Sequence, residues 1–259
     1  MQGSEMVDQP RPVSGWRRYL RLSVRGLLIL VLLIGGWLGW LAQTARTQRE
    51  AVAAILKAHG AIRYDWQGAS FASGEPAQPM ATRWLARTIG QDYLHSVVLV
   101  ALPARLFMSP PNDGIRPFER ADYVTAHLKG LTKLSALHLT GSDVRDSGLS
   151  HLEGLTELSE LHLGFTQATD SALAHVRGLA NLSDLNLRRT RITDAGLSHL
   201  TGLTKLSALN LVDTRITDAG LAHLKSLSNL KKLEVGDTHV TDAGARELQK
   251  ALPNLKIIR

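Results

Sequence analysis

Residues 203–226 read LTKLSALNLVDTRITDAGLAHLKS, and close variants of this 24-residue stretch recur along the second half of the chain. The five copies begin at Leu131, Leu155, Leu179, Leu203 and Leu227. Their shared pattern is L-x-x-L-x-x-L-x-L, followed after a short turn by T-D-A-G-L-x-H-L or a close variant. A period of roughly 20–29 residues with this leucine spacing indicates a repeat solenoid. In such a fold each copy buries its leucines only by stacking on its neighbours.

A single copy predicts a strand, a turn and a short helix. In the quoted copy, residues 207–211 form the strand, and its leucines point into the core. The hydroxyl of Thr214 is expected to bond backbone groups where the chain leaves the strand. Thr217 is a favourable helix cap, and Asp218 places a negative charge at the positive end of the helix. Strands of successive copies are expected to pair in parallel about 4.8 Å apart.

The repeats resemble the cysteine-containing-like class of leucine-rich repeats, with Thr at the position where that class usually has Cys or Asn. The chain is also similar to a group of bacterial single-span membrane proteins, in which an Arg-rich anchor precedes a short cap and T-D-A-G-L repeats. Here the anchor motif is RYLRLSVRGLLI at residues 18–29. The resemblance covers nearly all of the chain from residue 17 onward. It implies an α/β solenoid, with parallel strands on the concave side and short helices on the convex side, behind an N-terminal transmembrane helix.

The apolar segment at residues 26–45, GLLILVLLIGGWLGWLAQTA, contains no charged side chain. Its length suits a helix that crosses a hydrocarbon core of roughly 30 Å. Four arginines lie between residues 17 and 25, whereas only Arg46 and Arg49, together with Glu50, follow closely. The positive-inside rule then places the N-terminus in the cytoplasm and the repeats outside it. We therefore predict a single-pass membrane protein with extracytoplasmic repeats.

Two further interpretations concern this segment. A cleaved signal peptide has the same basic-then-apolar layout, but cleavage after Ala42 or Ala45 would put a large side chain where a small one is preferred. An uncleaved anchor is therefore favoured. Gly35 and Gly39 form a small-xxx-small pair, which lets two membrane helices pack closely. They are the candidate contacts of a homodimer that forms through the membrane helix.

The region before the repeats is expected to cap the solenoid. Residues 43–59 predict a helix with Val52, Ile55 and Leu56 on one face, and residues 61–66 predict a strand. Residues 84–89 suggest a short helix, and a degenerate first repeat follows, interrupted by a Pro-rich insert around residues 103–118. The predicted organisation is a basic tail (1–25), a transmembrane helix (26–45), a linker helix and cap (46–130), and five copies of 24–25 residues plus a terminal half-repeat (131–259).

The composition argues against several function classes. The chain has no cysteine, which excludes disulfides, thiolate metal sites and a cysteine nucleophile. The net charge is +7, but acidic and basic residues nearly balance within the repeats. A nucleic-acid-binding protein would concentrate its basic excess on the folded surface. No nucleotide-binding loop, H-E-x-x-H or G-x-S-x-G motif is present. We therefore expect no nucleic-acid partner, no cofactor and no enzymatic activity.

Recurring histidines raise the question of a metal site. One column follows the 24-residue period and comprises His127, His151, His175, His199 and His223. These side chains are expected to sit at the helix edge and to bond neighbouring loops, because the usual carboxylate or thiolate partners of a metal site do not accompany them. His138 and His162 occupy outward-facing strand positions one copy apart. A two-histidine surface site is the alternative for this pair, and the preferred prediction is that no metal is bound.

A denser candidate for partner binding lies beside the strand face. It combines four arginines with an aromatic residue in a column that is otherwise polar or glycine: Phe165, Arg188, Arg189, Arg191 and Arg215. Arginine and aromatic residues are enriched at interface hot spots. The alternative is that the arginines only pair with aspartates that are near by register, namely Asp184, Asp213 and Asp237.

Together these observations predict a non-catalytic protein–protein interaction module, displayed outside the cytoplasm on a single-pass anchor, with an unidentified protein or envelope partner. The first alternative is a structural envelope protein whose repeats associate with each other. A metal-binding protein or an enzyme that uses the histidine columns is the least favoured interpretation.

Overall fold

The computed structural model describes residues 24–58, 60–64, 97–102 and 117–259. The predictions for most of the basic tail, for the short helix at residues 84–89 and for most of the Pro-rich insert lie outside these residues. The chain divides into two units, residues 1–42 and residues 43–259. The predicted domain boundaries stay a prediction.

Helix α1 (Val24–Lys57) contributes residues to both units and is continuous past residue 45. Within the first unit its apolar side chains are exposed: Leu32 is 74% exposed and Trp40 is 64% exposed. The stretch Leu28–Lys57 is long and apolar enough to cross a membrane, with a mean hydropathy of 1.8. A signal sequence meets the same criteria, so crossing of a membrane stays a prediction.

The second unit begins with the last part of α1, which packs by a face of small residues. Ala45, Gln48, Ala51 and Ile55 follow helical spacing and are buried. A side chain at Gly130 would collide with Thr47, so the helix approaches the first loop of the repeats closely. The prediction that Leu56 shares the buried face is wrong, because it is 53% exposed. The other two residues predicted on this face, Val52 and Ile55, do pack toward the core.

Eight strands of the described residues form one sheet in sequence order. They are β1 (Ala61–Tyr64), β2 (Val97–Ala101), β3 (Ala136–His138), β4 (Glu160–His162), β5 (Asp184–Asn186), β6 (Ala208–Asn210), β7 (Lys232–Glu234) and β8 (Lys256–Ile258). β1 is antiparallel to β2, and all later neighbours are parallel. The register places Leu161, Leu185 and Leu209 side by side, 24 residues apart. The parallel pairing predicted from the period is confirmed.

Short helices follow the strands. They are α2 (Pro117–Leu128), α3 (Asp146–Leu149), α4 (Asp170–Val176), α5 (Asp194–Leu197), α6 (Asp218–Leu224) and α7 (Asp242–Ala251), and α3 and α5 continue as single 3₁₀ turns over Ser150–Leu152 and Ser198–Leu200. Their inward leucines, such as Leu197 and Leu224, are fully buried against the strand leucines. Burial of a leucine side chain contributes roughly 1.5–3 kcal/mol. The stacked leucine columns are therefore the main source of stability.

Two hydroxyl ladders close the turns on either side of the strands. Before the strands, Ser159 Oγ and Ser183 Oγ each donate to the carbonyl of the matching serine one repeat earlier, at 2.9 and 3.0 Å. After the strands, Thr190 Oγ1 and Thr214 Oγ1 donate to the carbonyl three residues back, both at 2.6 Å. The hydroxyl bond predicted for Thr214 is confirmed. It explains why a buried polar residue recurs at this position.

The T-D-A-G motif links each repeat to the next one. Asp194 accepts both the backbone N–H and the hydroxyl of Thr217, at 2.8 and 2.6 Å. The same pairing joins Asp170 to Thr193. A side chain at Gly220 would meet the Asp194 carboxylate, so the glycine leaves room for it. The sequence identified these aspartates only as helix-start residues, and their bonds to the following copy went unpredicted.

Candidate functional site

The turn that leaves each strand places one residue in the left-handed backbone region. The column contains Gly141, Phe165, Arg189, Asp213 and Asp237, with φ between 53° and 71°. The turn is held by the backbone, since the N–H of Phe165 donates to the carbonyl of Arg188 in the following repeat at 2.8 Å. Glycine and aspartate adopt this conformation readily, whereas a bulky residue there is a genuine outlier. Two copies therefore carry side chains that their backbone disfavours.

Phe165 is the aromatic member of this column and is 45% exposed. Two guanidinium groups lie close to its ring: the central carbons of the Arg188 and Arg189 guanidinium groups are 5.5 and 5.6 Å from the ring centre. Both distances are within the range of cation–π attraction, which contributes about 0.5–1 kcal/mol at an exposed site. The turn thus presents an apolar surface flanked by positive charge.

An open groove of about 500 Å³ continues from this turn. Its lining includes Arg189, Arg191 and Arg215, together with Asp213 and Asp237. Because all strands in this part of the sheet are parallel, these turns lie at the edge where the strands end. We call Phe165, Arg188, Arg189, Arg191 and Arg215 the exit-edge surface.

The arginines of the exit-edge surface pair only in part with local carboxylates. Arg189 Nε lies 3.6 Å from Asp213 Oδ2, and both side chains are more than half exposed, so the pair contributes little. Arg191 and Arg215 have no carboxylate within ion-pair distance among the described residues. The alternative of purely local pairing therefore accounts for one arginine of the four.

The column of Arg191 also sets this part of the edge apart from the first repeats. The equivalent residues are Asp143, Gln167, Arg191, Arg215 and His239, one per repeat. Arg215 lies directly beside the neighbouring chain segment, where it forms an isolated parallel bridge with Thr193. Arginine thus occurs in this column only in the third and fourth of the five repeats.

Asp143, at the start of that column, is buried, with 2% of its surface exposed, and neither carboxylate oxygen has a hydrogen-bond partner. Burial raises the pKa of this carboxyl, and the charge of Asp122 raises it further. Sequence reasoning missed this residue, because exposed polar residues occupy the equivalent position in the other repeats. Only the structure shows that the first repeat is covered here.

The structure brings His138 and His162 together on the strand face. Their rings are stacked, with centres 4.3 Å apart and planes 6° apart. Each Nε2 faces a carboxylate of the following strand: His138 lies 3.6 Å from Glu160, and His162 lies 3.7 Å from Asp184. These distances are too long for hydrogen bonds. Burial lowers the pKa of His138, and the neighbouring charge of His162 lowers it further.

The histidines give no metal centre in the part of the chain that the structure describes. No group of three or more His, Cys, Asp or Glu side chains is placed to hold an ion among these residues. In the helix-edge column, His175 Nδ1 lies 2.8 Å from Glu153 of the preceding repeat, and His127 Nδ1 lies 2.8 Å from the Tyr123 carbonyl. The hydrogen bond to His175 lowers the pKa of Glu153. These contacts suit a structural role.

The candidate membrane contacts Gly35 and Gly39 lie four residues apart on α1, within the first unit. The space where a side chain would project is open at both positions. The geometry is compatible with the close helix packing that the sequence suggests, and a homodimer stays a prediction.

Comparison with known proteins adds the class of repeat. A family model described as leucine-rich repeat matches residues 178–200, 202–225 and 226–248. These residues are leucine-rich repeats. Domains of this kind generally mediate protein–protein interaction, which is consistent with a non-catalytic binding module. Comparison with curated proteins gives no match.

Several solved structures are similar to the repeats. Internalin InlF of Listeria monocytogenes is 26% identical, with a TM-score of 0.46 over 51% of this chain and 36% of that one. Internalin C2 of the same organism is 30% identical, with a TM-score of 0.45 over 52% of this chain and 54% of that one. A leucine-rich-repeat protein of Leptospira interrogans is 21% identical, with a TM-score of 0.40 over 52% and 39%. The chain thus spans at most about half the length of these proteins.

Proposed function

We propose that this protein is a non-catalytic protein-binding module, displayed outside the cytoplasm on a single membrane-spanning helix. The observation that carries the binding proposal is Phe165, which is exposed, held at positive φ and flanked by two arginines. Strained backbone that persists in a folded protein is typical of binding and active sites. The exit-edge surface is therefore proposed as the partner-binding surface.

The anchor is proposed from α1 and the charges around it. The apolar side chains of α1 are exposed from Leu28 to Trp40, which is costly in water and favourable in a hydrocarbon core. The excess of arginine before the apolar segment supports a cytoplasmic N-terminus. Both features favour an anchor with the repeats on the opposite side of the membrane.

Crosslinking in native membranes tests the binding proposal. The full-length tagged chain is expressed, crosslinked and purified as wild type, as Arg191→Glu/Arg215→Glu and as Lys133→Glu/Lys231→Glu. The control pair makes the same change in net charge, but its exposed lysines precede β3 and β7 and so lie at the opposite edge of the parallel sheet. One dominant partner lost only in the arginine variant would support the proposal. Recovery of the protein itself alone, in all three samples, would favour the self-associating structural protein instead.

A further inference from the structure

The exit-edge surface also restricts the chemistry of the partner. Arg191 and Arg215 have no carboxylate partner among the described residues, and Phe165 offers an exposed apolar ring beside them. We propose that the partner presents an acidic segment in extended conformation, whose carboxylates bind Arg191 and Arg215 while a neighbouring apolar side chain packs on Phe165. This inference rests on the proposed function and names the class of partner.

The geometry of the repeats suits such a segment. Arg191 and Arg215 follow neighbouring parallel strands, β5 and β6, whose spacing is about 4.8 Å. Carboxylates on alternate residues of an extended peptide lie roughly 6.6 Å apart, which two long arginine side chains can match. The planar guanidinium binds a carboxylate through two parallel hydrogen bonds, so each arginine can fix one acidic residue.

The residues of the turn support a binding role rather than a structural one. Equivalent turns carry Gly141, Asp213 and Asp237, which suit the left-handed backbone, whereas Phe165 and Arg189 do not. Phe165 is not needed to fill the core, because it is nearly half exposed. Side chains that oppose the local backbone preference without filling the core are typical of functional positions.

Charge complementarity favours a peptide over a nucleic acid. Asp213 and Asp237 line the same groove as the arginines and would repel a continuous row of phosphates. A peptide can instead place its backbone N–H groups or a basic side chain against these aspartates. The net charge of the repeats is also close to zero, whereas a surface that binds the phosphate backbone of a nucleic acid carries excess positive charge.

A binding assay with the purified full-length chain in zwitterionic detergent tests this chemistry. The probe is a fluorescein-labelled heptapeptide with blocked ends, in which the central residue is leucine, the residue on each side of it is glutamate and the others are glycine. A matched peptide carries lysine in place of glutamate. Fluorescence anisotropy gives Kd for the wild type, Arg191→Glu/Arg215→Glu, Phe165→Asn and Lys133→Glu/Lys231→Glu.

The expected result is binding of the glutamate peptide and not of the lysine peptide. Kd should rise by about tenfold or more in the arginine variant, because two charge-assisted hydrogen-bonding sites become repulsive. It should rise by about threefold to tenfold in Phe165→Asn, through loss of the apolar contact. The lysine variant should change Kd by less than about twofold, because its charges lie at the other edge.

Three results would overturn the inference. The first is no binding of the glutamate peptide, and the second is an equal loss in the arginine and lysine variants, which would indicate only general charge attraction. The third is arginine-dependent binding to phosphatidylglycerol vesicles that the glutamate peptide cannot displace, which would indicate a lipid ligand. If crosslinking nevertheless finds a partner that depends on Arg191 and Arg215, the proposed function stands and only the acidic-segment chemistry fails.

Discussion

Phe165 shows at the scale of one residue how binding and stability can compete. The ring gains from Arg188 and Arg189, but its backbone lies at φ 60°, which costs of the order of 1–3 kcal/mol for a non-glycine residue. If Phe165 served only in packing, burial of its ring would offset this backbone strain. Phe165 is nearly half exposed, so contact with a partner is the more direct explanation.

Replacing Phe165 with asparagine should leave the fold intact. Asparagine tolerates the left-handed backbone region, so the substitution relieves backbone strain. This relief offsets the loss of the two cation–π contacts, and the free energy of unfolding should change by less than about 1 kcal/mol. Chemical denaturation of the full-length chain measures this, with Leu161→Ala as a positive control that should cost about 2–5 kcal/mol. A loss for Phe165→Asn as large as the control's would show that the ring is structural.

Replacing the buried Asp143 with asparagine should stabilise the protein at neutral pH. The pKa of Asp143 is raised in the folded state, so the folded protein binds more protons than the unfolded chain above the ordinary value of 3.8. Stability from this group is therefore lost as the pH rises through the folded pKa. Asparagine removes the charge and should add about 1 kcal/mol at pH 7.

Thermal unfolding as a function of pH checks this prediction. The gain in Tm from Asp143→Asn should be largest near pH 7 and should vanish below the ordinary pKa, where both side chains are neutral. Gln167→Glu, an acidic substitution at the equivalent exposed position, should change Tm little at either pH. A lower Tm for Asp143→Asn at pH 7 would mean that the carboxylate is favourably paired.

At the scale of the elements, the aspartate of the T-D-A-G motif has two roles. It begins the helix, and it accepts hydrogen bonds from the threonine of the next repeat. Replacing Asp194 with alanine removes two bonds to Thr217, including the partner of its backbone N–H. The expected cost is about 2–3 kcal/mol, measured by denaturant unfolding. Asp213→Asn, which removes the charge of the exposed pair with Arg189 but keeps a residue that tolerates the left-handed backbone, should cost less than about 1 kcal/mol. Equal costs would contradict the ladder.

The glycine of this motif is less strict than its recurrence suggests. Gly220 makes room for the Asp194 carboxylate, yet the equivalent position after Asp146 is Ala172. Asp146 still accepts hydrogen bonds from both the backbone N–H and the hydroxyl of Thr169. The carboxylate can therefore shift to accept a methyl group, and the aspartate is the essential partner.

The elements also show what sequence can predict and what it cannot. The leucine columns, the parallel register and the Thr214 hydroxyl bond follow from a 24-residue period, because identical copies must stack in identical ways. The hydrogen bonds that Asp194 accepts from Thr217 do not follow from the period, because a threonine followed by an aspartate is also typical of an ordinary helix N-cap. The wrong face assigned to Leu56 has a related cause, since hydrophobicity does not reveal that small residues allow α1 to approach Gly130.

The candidate site was predictable to a similar extent. Register alone identified Phe165 and the four arginines as neighbours, because every equivalent position lies one copy apart. The left-handed turn was not predicted, because Phe165 and Arg189 are residue types that rarely adopt positive φ, whereas a glycine at these positions would have indicated it. The partial pairing of the arginines also needed coordinates, because aspartates near by register need not point toward them.

At the scale of the whole molecule, the proposed membrane anchor places the N-terminus and the repeats on opposite sides of the membrane. The chain has no cysteine, so single cysteines report location without background. In intact cells a membrane-impermeant maleimide should label Ser228→Cys, an exposed residue of the last full repeat, and should label Ser4→Cys only after permeabilisation. Equal labelling of both in intact cells would contradict the topology, and loss of the Ser4 region from the mature protein would indicate a cleaved signal peptide.

Site-specific photocrosslinking of the full-length chain in its native membrane tests whether the exit-edge surface binds a partner. A photoreactive phenylalanine derivative replaces Gln167, an exposed residue that lines the groove, or Lys133 at the opposite edge. A partner-binding exit edge predicts one protein adduct from position 167 that disappears in the Arg191→Glu/Arg215→Glu background, and no such adduct from position 133. An adduct from position 133 alone, or only self-adducts from both positions, would contradict a partner-binding exit edge.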